Sequence, residues 1–228
     1  MSIRIERSSP SQDGEELVAI ATAAFANDAM HKAGLPPDMT DAQLKSFQEW
    51  RVRIGRLRAP VPNCHQFKAV DADSGKIVGL SGESCLDLSW NGPTAQDQLD
   101  TTTDRYPGAP DFFDKKHYDD LNALVTEYRK KVMGDRKDYW SLASMAVHPE
   151  HQGRGIASRL VADGLKLVDA DGAECYLEAT PSGRKVYEKA GFVVKAEIPL
   201  PQLDGKYSLV VMVRPAKSAS ASNGSIAH

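Results

Sequence analysis

Leu142-Ala143-Ser144-Met145-Ala146-Val147-His148-Pro149-Glu150-His151-Gln152-Gly153-Arg154-Gly155-Ile156-Ala157-Ser158-Arg159-Leu160 is the stretch whose reading decides the fold. Its first part closes an apolar, bounded run, Tyr139 to Val147, that predicts a buried strand. Its last part opens a helix from Gly155 to about Asp169, with Ile156, Leu160, Val161, Leu165 and Val168 apolar at helical spacing. Between them lies a polar turn in which Gly153 and Gly155 allow a tight bend and close approach of a ligand. The first amides of the following helix point outward unpaired, and the helix dipole adds partial positive charge there. Such a turn is suited to phosphate or pyrophosphate, with Arg154 and Arg159 as candidate charges at its edge. The residues alone leave two other readings open. One is an ordinary strand-to-helix turn. The other is a dinucleotide-binding turn, which Gly153-Arg154-Gly155-Ile156-Ala157-Ser158 matches except at Ser158; Glu174 and Glu178 supply carboxylates near the usual spacing of about 20 residues. Against that second reading, the upstream chain shows no repeated strand–helix–strand units.

Upstream, Ile3-Arg4-Ile5-Glu6-Arg7 alternates and predicts a short strand. Asp13 with Glu16 predicts a helix start, followed by Leu17, Ile20, Ala21, Ala24 and Phe25 on one face. Pro36-Pro37 breaks the chain. A second helix is expected from Thr40 or Asp41, carrying Leu44, Phe47, Trp50, Ile54 and Leu57 until Pro60 and Pro62. Gln66 to Val70 and Lys76 to Glu83 predict a hairpin about Asp71 to Gly75. Trp90 to Asp111 lacks periodicity, and Leu121, Leu124, Val125, Tyr128 and Val132 predict a helix closed by Gly134. Long aperiodic loops are uncommon in compact domains, so an insertion over about 90–138, suited to a substrate lid, is expected. Downstream come a strand at Glu174–Glu178, a short helix at Gly183–Ala190 and two strands near Phe192–Glu197 and Tyr207–Val213. Residues 1–215 are expected to form one domain, and the Ser-, Ala- and Gly-rich 216–228 a flexible C-terminal tail.

The 228 residues are 41% hydrophobic and 26% charged, an ordinary globular composition. Net charge is -3, which removes the basic excess expected of a nucleic-acid binder. No apolar run approaches the roughly 18 residues of a membrane span, and Met1 to Arg7 alternates apolar and charged residues without the apolar stretch expected of a signal peptide. Three dispersed cysteines, Cys64, Cys85 and Cys175, make neither a disulfide framework nor a CxxC motif. The expectation is a soluble cytoplasmic protein without nucleic-acid or membrane partners; a homodimer is compatible with the sequence. His148 and His151 sit three apart with no evident third ligand, so no metal is expected. Cys175, inside a strand without a neighbouring His, reads as a small apolar filler rather than a nucleophile.

Gln152-Gly153-Arg154-Gly155-Ile156-Ala157 resembles the Q/R-x-x-G-x-G/A signature of the GCN5-related N-acetyltransferase (GNAT) superfamily. Val186-Tyr187-Glu188-Lys189-Ala190-Gly191-Phe192 resembles that family's Y-x-x-x-G-F element, in the right order. The resemblance covers about Ser141 to Phe192. It implies an α/β (α+β) fold: a mixed central sheet of about seven strands flanked by helices, with a helical insertion before the coenzyme-binding strand. It also implies acetyl-CoA as co-substrate and an acyl transfer, usually to an amine.

Under that resemblance, Gln152, Gly153, Arg154, Gly155, Ile156, Ala157 and Ser158 hold the pyrophosphate. The backbones of Met145, Ala146 and Val147 pair with the pantetheine arm, the N–H of Ala146 polarising the thioester carbonyl. Tyr187 matches the general-acid tyrosine that meets the coenzyme sulfur; the competing reading is a packed core residue. Glu83 and Glu178, at strand ends, are alternative bases for the acceptor ammonium, and some members need none. Three functions stay open: acetylation of a small amine beneath a lid walled by Trp90, Tyr106, Phe112 and Phe113, acetylation of protein chains, and acyl-CoA binding without catalysis.

Overall fold

The computed structural model describes residues 2–58, 64–85, 106–203 and 206–217. Trp90, much of the expected lid and most of the expected tail lie outside the described residues. Strands β1 (Ile3–Arg7), β2 (Cys64–Asp71), β3 (Ile77–Cys85), β4 (Tyr139–Val147), β5 (Glu174–Ala179), β6 (Val193–Pro199) and β7 (Ser208–Arg214) form one sheet. Their order is β1-β2-β3-β4-β5-β7-β6. Neighbours are antiparallel except β4 and β5, which run parallel. Helices α1 (Pro10–Ala24), α2 (Ala29–Ala33), α3 (Asp41–Arg58), α4 (Lys115–Met133), α5 (Ile156–Ala170) and α6 (Arg184–Lys189) surround it.

The apolar stripe of α5 explains one layer. Ile156, Leu160, Val161, Leu165 and Val168 are all buried, packed on β2 to β5 through Val78, Val147, Leu142 and Cys175. Each such side chain contributes about 1.5–3 kcal/mol on burial. The opposite face is covered by α1, whose Leu17, Ile20 and Ala21 meet Leu80 and Ala146. There α4 adds Leu121 and Met133 against Tyr139 and Tyr176. No helix among the described residues is long and apolar enough to cross a membrane.

The structure moves two expectations. Helix α1 begins at Pro10, not Asp13, because a proline suits the first turn, where its missing N–H costs nothing. Asp13 instead accepts from the Ser9 amide at 2.7 Å and from the Lys68 ammonium at 2.9 Å. The five-residue α2 was not anticipated; Asp28 caps it by accepting from the His31 amide.

Candidate active site

Strands β4 and β5 pair only at Tyr139, Trp140 and Ser141, opposite Glu174, Cys175 and Tyr176. Beyond Ser141 the two part, and the rest of β4 keeps only β3 as a described neighbour. In the middle of a seven-stranded sheet this leaves Ala143 and Ser144 exposed. A gap between parallel strands presents unpaired backbone groups, which an amide-bearing chain can satisfy.

The ladder decides which groups face the gap. The His148 amide donates to the Val78 carbonyl at 2.9 Å, so His148 faces β3. Since successive residues alternate sides, Ala146 also faces β3, while Met145 and Val147 direct N–H and C=O into the gap. The Val147 carbonyl confirms the parity, accepting from Gln152 Nε2 at 3.0 Å. The expectation that the Ala146 N–H polarises the carbonyl is corrected on this ground; Met145 and Val147 hold the gap-facing donors. A β-bulge sets the phase. Gly82 pairs with Ser144 and Glu83 with Leu142, leaving Ala143 over. Leu142 therefore packs toward α5, and Ala146 packs toward α1.

The turn after β4 has the expected construction. Gly153 and Gly155 sit at φ +74° and +75° with no atom within 4 Å of where a Cβ would stand. Gly155 is the N-cap of α5 in left-handed conformation. Among the described residues no acceptor takes the Gly153 or Gly155 N–H. The amides of Ile156, Ala157 and Ser158 are free because they open the helix. The Ile156 side chain is buried and anchors the turn, leaving its amide outward. The Gln152 amide is spent on the Pro149 carbonyl. Arg154 reaches the Glu150 carbonyl at 3.0 Å. Arg159 turns away from the loop to the Ile3 carbonyl at 2.7 Å, so it adds no charge to the loop edge.

Tyr187, on α6, is 7% exposed within the core cluster that holds Trp140, Leu142, Cys175 and Phe192. Burial pushes its phenol above the usual tyrosine range, and Cys175 adds to the effect. The hydroxyl therefore carries its proton at neutral pH. Glu178 lies two residues past the last β4–β5 pair, at the rim of the gap. Alternation along β5 puts it opposite Cys175, on the α4 side, where Arg129 binds it at 3.1 Å. Burial opposes the charge on Arg129, and Glu178 and Tyr176 outweigh it. Glu83 stands in register with Leu142; its side chain lies outside the described residues.

On that same face, the connection after α1 crosses the gap. Asp28 accepts from the Tyr207 hydroxyl at 2.7 Å, and β7, which follows Tyr207, pairs its Val210 with Ala179 at the end of β5. The connection thus spans from the β4 side to the β5 side. A cavity of about 200 Å³ lies beside it among α1, α2, α3 and α4, lined by Ala21, Phe25, His31, Phe47, Arg51 and Tyr118 among others. Ala21 also packs in the cluster that holds Ala146. Tyr106, Phe112 and Phe113, expected as lid walls, join Phe47, Trp50 and Tyr118 behind this cavity. Cys175 is buried at 1% exposure, consistent with a filler. The turn does bring Glu150 beside His148 and His151, their ligand atoms within 4.8 Å of one another, so the expected lack of a third ligand is corrected. The His148 ring nitrogen already accepts from the Glu150 amide. Arg51 was not singled out from sequence, because it sits among the charged residues of a mostly polar helix.

Residues 119–194 match the family model of the acetyltransferase (GNAT) domain. An uncharacterized N-acetyltransferase of Schizosaccharomyces pombe is 27% identical over 108 residues, covering 46% of this chain and 44% of the relative. The match thus spans less than half of that relative's length. An arylalkylamine N-acetyltransferase 2 of Aedes aegypti superposes with TM-score 0.60 at 16% identity, over 95% of this chain and 100% of that one. A Corynebacterium glutamicum protein described as histone acetyltransferase HPA2 and related acetyltransferase gives 0.59 at 20%, over 96% and 99%. These two likenesses speak for the fold. The parted β4 and β5, the glycine turn that opens α5 and the matched domain model come together in one conclusion: residues 119–194 match the acetyltransferase (GNAT) domain, within a chain that has the fold of the GCN5-related N-acetyltransferases.

Proposed function

We propose that the protein transfers an acetyl group from acetyl-CoA to the primary amine of a small molecule, by direct attack within a ternary complex. The observation that carries this reading is the gap beyond Ser141 and Tyr176, with anion-ready amides at one end and a cavity on the opposite face. In this reading Gly153, Gly155, Ile156, Ala157 and Ser158 hold the pyrophosphate through their amides, with Gln152 bracing the turn and Arg154 at its edge. Met145 and Val147 present backbone donors to the pantetheine and the thioester oxygen, and Ala146 backs them from the α1 face. The acceptor nitrogen forms its bond to the carbonyl carbon, the C–S bond breaks, and the leaving thiolate takes the proton of Tyr187. Glu178, on the acceptor face, takes the ammonium proton directly or through water; Glu83 is the alternative tested beside it. A cavity of about 200 Å³, walled by residues of α1, α2, α3 and α4, has the size of a small acceptor and favours it over a protein chain, which needs a long groove.

The test is free-thiol release from acetyl-CoA against amines, amino acids, polyamines and peptides. Turnover of at least one small amine is expected. Tyr187→Phe, which keeps the ring packing, should lower kcat by about 10²-fold or more while sparing coenzyme binding. Glu178→Gln should depress kcat/KM by about tenfold or more, and Glu83→Gln should not. Silence across the panel, or Tyr187→Phe turning over at the parental rate, would overturn the assignment; a peptide preferred to every small amine would replace the acceptor class.

A further inference from the structure

The cavity on the acceptor face has a chemistry of its own. Its floor and walls are apolar or aromatic: Phe25, Met39, Leu44, Phe47 and Tyr118. Into it projects the guanidinium of Arg51, partly buried in α3. Among the described residues Arg51 has no carboxylate partner and no hydrogen bond. Its recorded company is the Phe47 ring, 5.8 Å from the guanidinium carbon, and the Tyr118 phenol. A guanidinium in apolar surroundings is costly to keep without an anion, because five N–H donors lose water and gain no acceptor. Among the described residues no aspartate or glutamate lines the cavity, whereas Lys32 and His31 do. The His31 ring is held by Asp28 at 2.8 Å; among the described residues no carboxylate meets Arg51 in this way. Burial accordingly holds the Arg51 guanidinium below its ordinary value.

We infer that Arg51 receives a carboxylate carried by the acceptor, so that the amine acetylated belongs to an amino acid with an apolar side chain. This deepens the proposed function and rests on it. The geometry joins the two sites. Ala21 lines the cavity and packs in the cluster that holds Ala146 of β4, and Asp28, between the cavity-lining Ala26 and His31, accepts from the Tyr207 hydroxyl just before β7. The volume, about 200 Å³, is below the roughly 300–1,000 Å³ of drug-sized sites and suits a single small molecule. Arginine is the fitting side chain, since its planar fork takes both carboxylate oxygens.

The experiment compares pairs that differ only in the carboxylate: phenylalanine with phenethylamine, and leucine with 3-methylbutylamine. Thiol release is measured on the whole protein, and ligand binding separately by calorimetry in the presence of CoA. The inference expects each amino acid to exceed its amine by about tenfold or more in kcat/KM, chiefly through KM. Arg51→Gln should shrink that ratio to near one, and Arg51→Lys should retain part of it; the melting temperature of each variant confirms that it is folded. Amines equal to or better than amino acids, or a ratio unmoved in folded Arg51→Gln, would overturn the inference. Phenylalanine binding that depends on Arg51 without any thiol release would uphold it and sink the acetyl-transfer reading instead. Absence of phenylalanine binding to the parent protein would sink the inference whatever the turnover of other amines.

Discussion

Ser81 shows how a single side chain is read by what it lacks. It lies on β3 opposite Met145, 0% exposed, and its hydroxyl finds no hydrogen-bond partner among the described residues. A buried hydroxyl without a partner costs about 1–3 kcal/mol relative to an apolar group of the same shape. Ser81→Ala is therefore expected to raise the unfolding free energy by about 1 kcal/mol, or about 3 °C in melting temperature at this chain length. Calorimetric melting checks it; a destabilised variant would mean that the hydroxyl has a partner in solution. The glycines at 153 and 155 were legible because their pattern and φ requirement coincide. Arg51 and the free hydroxyl of Ser81 were not, because neither residue type breaks the pattern of its element. Their meaning comes from neighbours distant in sequence.

Elements were read best where one strong period dominates. Strand β4, from Tyr139 to Val147, and helix α5, from Ile156 to Ala170, follow directly from an apolar run and a five-member apolar stripe. What periodicity does not carry is the extra residue at Ala143, which shifts the phase of β4 and sends the Met145 and Val147 amides, rather than that of Ala146, into the gap. A bulge needs no particular residue, so the parity behind it was invisible. The same holds for α2, too short at Ala29–Ala33 to show a period. The far end of α5 yields a test of its own. Asp169 meets Arg214 of β7 at 2.7 Å and Lys217 at 2.6 Å, tying the helix to the strand. Burial works against its ionisation, but the bonds from Arg214 and Lys217 outweigh it and hold its carboxyl below the usual value. A carboxyl depressed in the folded state stabilises above its unfolded pKa of about 3.9, and that stability is lost as pH falls through the folded value. Urea unfolding should therefore show the parent losing stability below about pH 4 more steeply than Asp169→Asn. Parallel pH profiles would contradict the tie.

At the scale of the molecule, the sheet order β1-β2-β3-β4-β5-β7-β6 places one parallel pair at the centre and lets it open. The helices divide by face: α5 and α6 on the side of the glycine turn and Tyr187, α1 and α4 on the side of the cavity and Glu178. The two candidate proton handlers thus approach the gap from opposite faces, which keeps the leaving-group proton and the ammonium proton apart. This division was only half legible. Motif order located the turn and Tyr187, since both lie in the segment with recognisable spacing. The face proposed for the acceptor is assembled from α1, α2, α3 and α4, segments that carry no motif and meet only on folding.

All of this depends on the amides at the start of α5 holding a coenzyme. The most direct measurement is titration calorimetry with CoA on the parent protein, Gly155→Val and Gly75→Val. Gly75 also sits at positive φ, +71°, with no atom within 4 Å of a built Cβ, in the β2–β3 turn, so its variant carries similar backbone strain of about 1–2 kcal/mol away from the gap. The account predicts saturable heat for the parent and for Gly75→Val, and at least tenfold weaker binding for Gly155→Val. No heat with the parent, or equal affinity in all three, would contradict it.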